Sequence, residues 1–67
     1  MSVNIAVPTE IHDSNGDFLR IEFYDGEGNH IIDALWDDRD EQTSENRTEF
    51  RSWAYKIIRD KGYQINL

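Results

Sequence analysis

Few side chains in this chain belong to the types that support catalysis. His12 and His30 are the only histidines, and cysteine is absent. Ser14, Ser44 and Ser52 lie at turn, helix-cap and helix-surface positions. General acid–base catalysis needs a positioned pair, such as a histidine beside a carboxylate. Neither histidine has that context in the sequence, and no Gly-x-Ser-x-Gly element surrounds a serine. We therefore expect no enzymatic activity and no catalytic residues.

Metal and cofactor sites are equally unsupported. Residues 13–17, Asp-Ser-Asn-Gly-Asp, place side-chain oxygens at alternating positions as a calcium loop does. An EF-hand loop needs glycine at its sixth position and glutamate at its twelfth, whereas counting from Asp13 the glycine is fourth and the twelfth residue is Tyr24. The same composition is typical of hairpin turns. No glycine-rich phosphate loop precedes a helix, and we expect neither metal nor cofactor.

Length and composition restrict the class of protein further. The chain has 67 residues and no cysteine, with 14 Asp and Glu against 7 Lys and Arg, for a net charge of −7. We expect one domain over residues 1–67, because a chain of this length builds one core at most. The first residues lack the basic start and apolar run of a signal peptide, which favours the cytoplasm. The negative charge disfavours direct binding to nucleic acid or to an anionic membrane.

The acidic residues are unevenly distributed. Residues 10–45 hold 12 acidic and 2 basic side chains, whereas residues 46–67 hold 2 acidic and 5 basic ones. The segment after Trp36 concentrates four of the acids, which we call the connector acids: Asp37, Asp38, Asp40 and Glu41. Negative potential of this kind steers basic partners and can occupy phosphate sites on a nucleic-acid-binding protein. The alternative is that the acids only keep a small domain soluble.

Alternating apolar residues predict three antiparallel strands. A three-residue loop at residues 14–16, with a left-handed Gly16, would place Ile11 opposite Leu19. A two- or four-residue loop around residues 25–28 would place Ile21 opposite Ile32. These registers put one apolar set on the buried face of the second and third strands, namely Leu19, Ile21, Phe23, Ile32, Ala34 and Trp36.

The reverse face of the predicted sheet is the second candidate binding surface. It carries polar residues together with four apolar or aromatic ones that a single helix would leave exposed: Phe18, Tyr24, Ile31 and Leu35. Exposed apolar surface rimmed by charge usually marks a partner site. That partner is either a target protein or a second copy of the chain.

A helix follows the connector. Thr43 or Ser44 is placed to cap its start, and Gly62 fits the position after its end, where Tyr63 could complete a Schellman motif. The 3.6-residue period makes a core stripe in which Phe50 and Trp53 anchor the helix on the sheet; the stripe is Phe50, Trp53, Ala54, Ile57 and Ile58. Alternation in residues 63–67 suggests a short final strand. The predicted fold class is α+β, a three-stranded antiparallel meander packed against one amphipathic C-terminal helix.

The helix also carries a basic row. Arg47, Arg51 and Arg59 lie at helical spacing beside Tyr55, and basic residues interleaved with an aromatic can bind RNA. Arginines in so acidic a domain more often pair with local carboxylates. A small RNA-binding regulator therefore remains an alternative function.

Composition and architecture together resemble a class of proteins. A short, acidic, cysteine-free chain with a meander and one tryptophan-containing helix, here residues 50–55, Phe-Arg-Ser-Trp-Ala-Tyr, resembles the small phage-encoded proteins that inhibit host factors. Anti-CRISPR proteins, anti-restriction proteins and polymerase inhibitors are examples, and they share no motif. The resemblance implies stoichiometric binding to a basic, nucleic-acid-handling host protein, in the manner of a nucleic-acid mimic. A housekeeping or structural interaction module that acts as a homodimer is the other alternative.

Overall fold

The computed structural model describes residues 4–66. In chain order the elements are strand β1 (Ile5–His12), strand β2 (Phe18–Asp25), strand β3 (His30–Leu35), helix α1 (Ser44–Asp60) and strand β4 (Gln64–Ile65). The four strands form one sheet in the order β3-β2-β1-β4. The α+β class and the antiparallel meander are confirmed, and the short final strand pairs with β1 in parallel.

The first hairpin has the predicted three-residue loop. The Asp13 N–H donates to the Asp17 carbonyl at 2.9 Å, and Gly16 is left-handed with φ of 85°. The Asp13 carboxylate accepts the N–H of Asn15 at 2.8 Å, which is the local hydrogen bond that makes aspartate a turn residue. Three residues close this loop because glycine adopts the left-handed conformation without a steric penalty.

The register beyond that loop differs from the prediction. His12 pairs with Phe18, but the next pair is Ile11 with Arg20, so Leu19 is a bulge residue with no partner on β1. A bulge adds one residue to one strand. Because side chains alternate with a period of two, residues on the two strands beyond the bulge that were expected on the same face now point to opposite faces. The predicted pairing of Ile11 with Leu19 is therefore wrong.

The bulge decides which side chains are buried. Phe18, expected on the exposed face, is 1% exposed, whereas Leu19, expected in the core, is 43% exposed. On β1 the buried residue is Ala6, while Ile5 and Val7 lie on the opposite, outer face. The bulge lets Phe18 join Ile21 and Phe23 on one side of β2, and it turns Ile5 and Val7 of β1 outward.

The second hairpin is shifted by an even number of residues. Ile21 pairs with Ala34 and Phe23 with Ile32, and a second irregularity lies opposite the step from Phe23 to Tyr24. A two-residue shift leaves paired side chains on their predicted faces. The exception is Ile31, which has no partner on β2 and packs against the core cluster although it was expected on the exposed face. Ile21, Phe23, Ala34 and Trp36 are therefore buried as expected, whereas Leu19 is not.

Both ends of α1 are closed as the sequence indicates. Thr43 is the N-cap, and its hydroxyl accepts the N–H of Asn46 at 3.0 Å. At the other end the Gly62 N–H donates to the Arg59 carbonyl and the Tyr63 N–H to the Ile58 carbonyl. Gly62 has φ of 95°, so this pair of hydrogen bonds is the predicted Schellman motif.

The helix covers one face of the sheet and closes a single hydrophobic cluster. Ala54 and Ile58 are fully buried in it, and Phe50 packs against it. Trp53, expected in this core stripe, is instead 52% exposed. Tyr55 packs on the cluster in its place, edge-on to Phe23 at 6.1 Å between ring centroids.

Candidate protein-binding groove

A groove of about 440 Å³ lies between the end of β3, the segment that comes after it and the first half of α1. Its lining combines aromatic and acidic side chains: Leu35, Trp36, Asp37, Asp40, Asn46, Glu49, Phe50 and Trp53. The helix contributes its share at positions i, i+3, i+4 and i+7 from Asn46, which is one side of an α-helix. We call this feature the tryptophan groove.

Three aromatic rings form one continuous wall of the groove. Trp36 meets Phe50 edge-on at 5.1 Å, and Phe50 stacks against Trp53 at 6.1 Å between centroids. Phe18 stacks beneath Trp36 at 5.9 Å and anchors it to the core. The inner rings are therefore fixed by packing, while about half of the Trp53 surface is exposed to solvent.

The connector is held over the groove by hydrogen bonds. The indole Nε1–H of Trp36 donates to the Asp40 carbonyl at 3.3 Å, and the Asp40 N–H donates to the Asp37 carbonyl at 3.0 Å. The Arg39 guanidinium makes a two-point contact with the Asp37 carboxylate, at 3.1 and 2.9 Å. These hydrogen bonds from Arg39 lower the pKa of Asp37. The hydrogen bonds at Asp40 fix its backbone, and Asp40 is among the residues that line the groove.

Most carboxylates at this end of the molecule lack a neutralising partner. Among residues 4–66, ion pairs reach Glu10, Asp17, Glu22, Asp33, Asp37 and Asp60. The remaining acids near the groove take part in no ion pair within that range: Asp38, Asp40, Glu41, Glu45 and Glu49. Glu45 and Glu49 are also one turn apart on α1, where like charges repel. The groove is thus bordered by negative charge that a cation would stabilise.

The structure separates the eight residues predicted to bind a partner. Leu35, Asp37 and Asp40 come together at the groove, and Leu35 is 66% exposed. Asp38 and Glu41 are exposed on the same connector.

The other three predicted binding residues do not form an exposed apolar patch. Phe18 is buried, because the Leu19 bulge turns it inward. Ile31 is half-buried and packs against the core cluster. Tyr24 is half-buried, and its hydroxyl donates to Glu22 at 2.7 Å.

The outer face of the sheet carries a different set of residues. Ile5 and Val7 on β1 are 37% and 36% exposed, because the Leu19 bulge turns them away from the helix. Beside them the Arg20 Nε–H donates to Glu22 at 2.7 Å. Hydrogen bonds from Tyr24 and Arg20 lower the pKa of Glu22. This face is a polar network with an apolar margin.

The helix arginines are largely engaged within the molecule. Arg51 binds both carboxylate oxygens of Glu10, at 2.6 and 3.0 Å, and its guanidinium lies 5.0 Å from the centroid of the Phe18 ring. Arg47 donates to the Gln42 side chain at 3.3 Å and lies 3.8 Å from Asp17. Two of the three candidate RNA-binding arginines therefore have local acidic partners.

Each histidine has a carboxylate neighbour that the sequence did not reveal. His30 Nε2 lies 2.7 Å from Asp33, and His12 Nε2 lies 3.6 Å from Glu10. Neither histidine lines the groove. In the described part of the chain, no group of three or more His, Asp or Glu side chains is arranged to hold a metal ion.

Sequence reasoning missed five residues of the groove: Trp36, Asn46, Glu49, Phe50 and Trp53. A signal was present in the predicted apolar stripe of α1, which has a tryptophan at one margin. Trp53 lies at its edge, three residues after Phe50. A wide stripe with a tryptophan at its margin indicates an aromatic that is shared between core and surface.

The described residues contain no helix that is both long and apolar enough to span a membrane. In comparisons with known proteins, no protein-family model matches the chain, and no curated protein or solved structure matches it significantly.

Proposed function

We propose that this protein is a small, non-enzymatic binding domain that recognises a basic protein through the tryptophan groove and the connector acids. The observation that carries the proposal is the half-exposed Trp53 in a groove with Asp40 and Glu49, two carboxylates that take part in no ion pair among residues 4–66. Tryptophan is among the residues that contribute most binding energy at protein interfaces. Acidic residues around a binding site speed up association with basic partners and disfavour acidic ones.

The partner class follows from the charge. A chain of net charge −7 repels nucleic acid and attracts proteins that bind nucleic acid. Stoichiometric inhibition of such a protein is the mode of action implied by the resemblance to small phage-encoded inhibitors. The pairing of Arg47 and Arg51 with acidic residues argues against the RNA-binding alternative.

The homodimer alternative has one observation in its favour. Ile5 and Val7 expose apolar surface on the outer face of the sheet, and neither residue lines the groove. A homodimer through the outer sheet face would bury this surface without using the groove, so the two functions predict different sensitive residues.

The test compares matched charge variants in one capture experiment. The tagged parent protein captures its partner from a cell extract, and the captured protein is then purified and titrated. Asp40→Asn with Glu49→Gln should weaken binding, because both carboxylates border the groove. Glu27→Gln with Asp60→Asn changes one glutamate and one aspartate elsewhere and should bind like the parent. Equal binding by the two double variants would contradict the proposal, as would a parent protein that forms only a dimer and captures no basic protein.

A further inference from the structure

The tryptophan groove contains the components of a cation site except for the cation. Trp36, Phe50 and Trp53 supply aromatic surface, and Asp40 and Glu49 supply carboxylates that take part in no ion pair among residues 4–66. Arg39, on the connector beside the groove, is already bound to Asp37. Aromatic faces and carboxylates together stabilise a flat cation better than either does alone.

The molecule itself shows what completes such a site. On the other side of Phe50, the Arg51 guanidinium lies over the Phe18 ring and donates two hydrogen bonds to Glu10. One arginine thereby makes a cation–π contact with an aromatic ring and hydrogen bonds to a carboxylate at the same time. The groove offers the same two chemical partners, Trp53 and Glu49, on the neighbouring helix turn, and no arginine of residues 4–66 occupies it.

We propose that the tryptophan groove binds an arginine side chain of the partner protein, stacked on Trp53 and hydrogen-bonded to Glu49 or Asp40. This inference rests on the proposed function and names the chemistry of the occupant. Arginine fits better than lysine because its planar guanidinium stacks on an indole and offers paired N–H donors to a carboxylate. A second copy of this chain fits poorly, because it would bring another net charge of −7 to the same place.

The experiment titrates the intact protein with N-acetyl-arginine methylamide and follows backbone and indole N–H signals by NMR. The lysine analogue and the citrulline analogue, which is uncharged but nearly the same shape, are titrated in parallel. The indole N–H signals of the two tryptophans are assigned with the Trp53→Leu variant; the Trp53 signal should respond most, together with the amides of Asp40 and Glu49. The expected order of affinity is arginine, then lysine, with no measurable binding of citrulline.

Three variants locate the site. Trp53→Leu keeps apolar bulk but removes the aromatic face, and it should weaken arginine binding by about two- to fivefold, as expected for one exposed cation–π contact. Glu49→Gln should weaken binding similarly. Glu27→Gln makes the same change at the turn before β3, at the opposite end of that strand from the groove, and should leave binding unchanged.

Several results would overturn the inference. These are equal binding of citrulline and arginine, equal binding of lysine and arginine, or an affinity unchanged in Trp53→Leu. Failure of the arginine probe while groove variants still lose the captured protein would refute the arginine site and leave the proposed function standing. If the arginine probe binds the groove but the captured protein binds Trp53→Leu as tightly as the parent, the groove is not the surface that binds the partner and the proposed function is refuted.

Discussion

Phe18 is one of the largest fully buried side chains, and its surroundings explain the geometry of the whole groove. Its ring is 1% exposed, stacks on Trp36, and meets Phe50 edge-on at 5.1 Å. Arg51 covers another part of the ring. Phe18 therefore supports the inner wall of the groove from below, whereas Trp53 lies at the open edge and supports little.

These two aromatic residues should differ in their effect on stability. Phe18→Ala should lower the free energy of unfolding by about 3–5 kcal/mol, because it leaves a cavity among rings that cannot collapse into it. Trp53→Ala should cost less, about 1–2 kcal/mol, because only about half of its surface is buried. Urea denaturation of both variants measures the difference. A loss for Trp53→Ala as large as that for Phe18→Ala would show that Trp53 is a core residue after all.

This expectation replaces the one drawn from the helical period. The pattern gave Phe50 and Trp53 equal weight as anchors. The structure keeps that role for Phe50, which packs edge-on against both Phe18 and Trp36, and removes it from Trp53. A free surface on Trp53 is also what a binding role requires.

At the scale of elements, a partly buried ion pair joins β1 to α1. Glu10 lies on the helix side of β1, where Arg51 reaches it with two hydrogen bonds. These hydrogen bonds lower the pKa of Glu10 below its ordinary value of 4.5, against the opposing effect of burial. The pair fixes the helix over Phe18 and therefore helps to position the groove.

The pair should make part of the stability depend on pH. Because the pKa of Glu10 is lower in the folded protein, its contribution is complete above pH 4.5 and is lost as the pH falls through the folded-state pKa. Glu10→Gln should cost about 1 kcal/mol or less near neutral pH, as is usual for a partly exposed pair. It should also reduce the loss of stability below pH 4.5.

Thermal denaturation of the parent and Glu10→Gln across this pH range checks the prediction. Arg51→Met provides the matched comparison, because it removes the other half of the same pair and should flatten the pH dependence to a similar extent. Parallel stability curves for the parent and Glu10→Gln would contradict the assignment.

At the scale of the whole molecule, the elongated shape separates the acidic turns from one another. The molecule measures 41 × 21 × 16 Å, and exposed charges are screened over about 8–10 Å at ordinary ionic strength. Acids at distant turns therefore contribute little at the groove. The connector acids act locally on whatever approaches it.

Neutralising the connector acids should slow association with a basic partner. Changing Asp37, Asp38 and Asp40 to Asn and Glu41 to Gln removes four charges beside the groove, and the affinity should fall chiefly through a lower association rate. Added salt should lower the association rate of the parent in the same way, and it should lower the association rate of the quadruple variant less. Stopped-flow mixing with the captured partner at low and high salt measures both effects. Equal rates in all four conditions would leave the acids as a solubility device.

Local patterns in the sequence determined much of the architecture. Turn chemistry at residues 13–17 fixed the first loop, and the signals at Thr43 and Gly62 fixed the ends of the helix, because these features depend on hydrogen bonds between near neighbours. The inward set of Ile21, Phe23 and Ala34 was also predictable, because a two-residue shift does not change a face.

Only the tertiary structure decided the bulge at Leu19 and the reversal of faces that it causes. Phe18 and Leu19 are adjacent apolar residues, and alternation alone cannot say which one faces the core. The choice depends on the fit of Phe18 against Trp36 and Phe50, which are distant in the chain. To reach this packing, β2 leaves Leu19 without a partner on β1, and the residues of β1 that face the core change from the odd-numbered to the even-numbered ones. The groove arises from the same nonlocal packing, because its rings and carboxylates meet only when α1 lies across the end of β3.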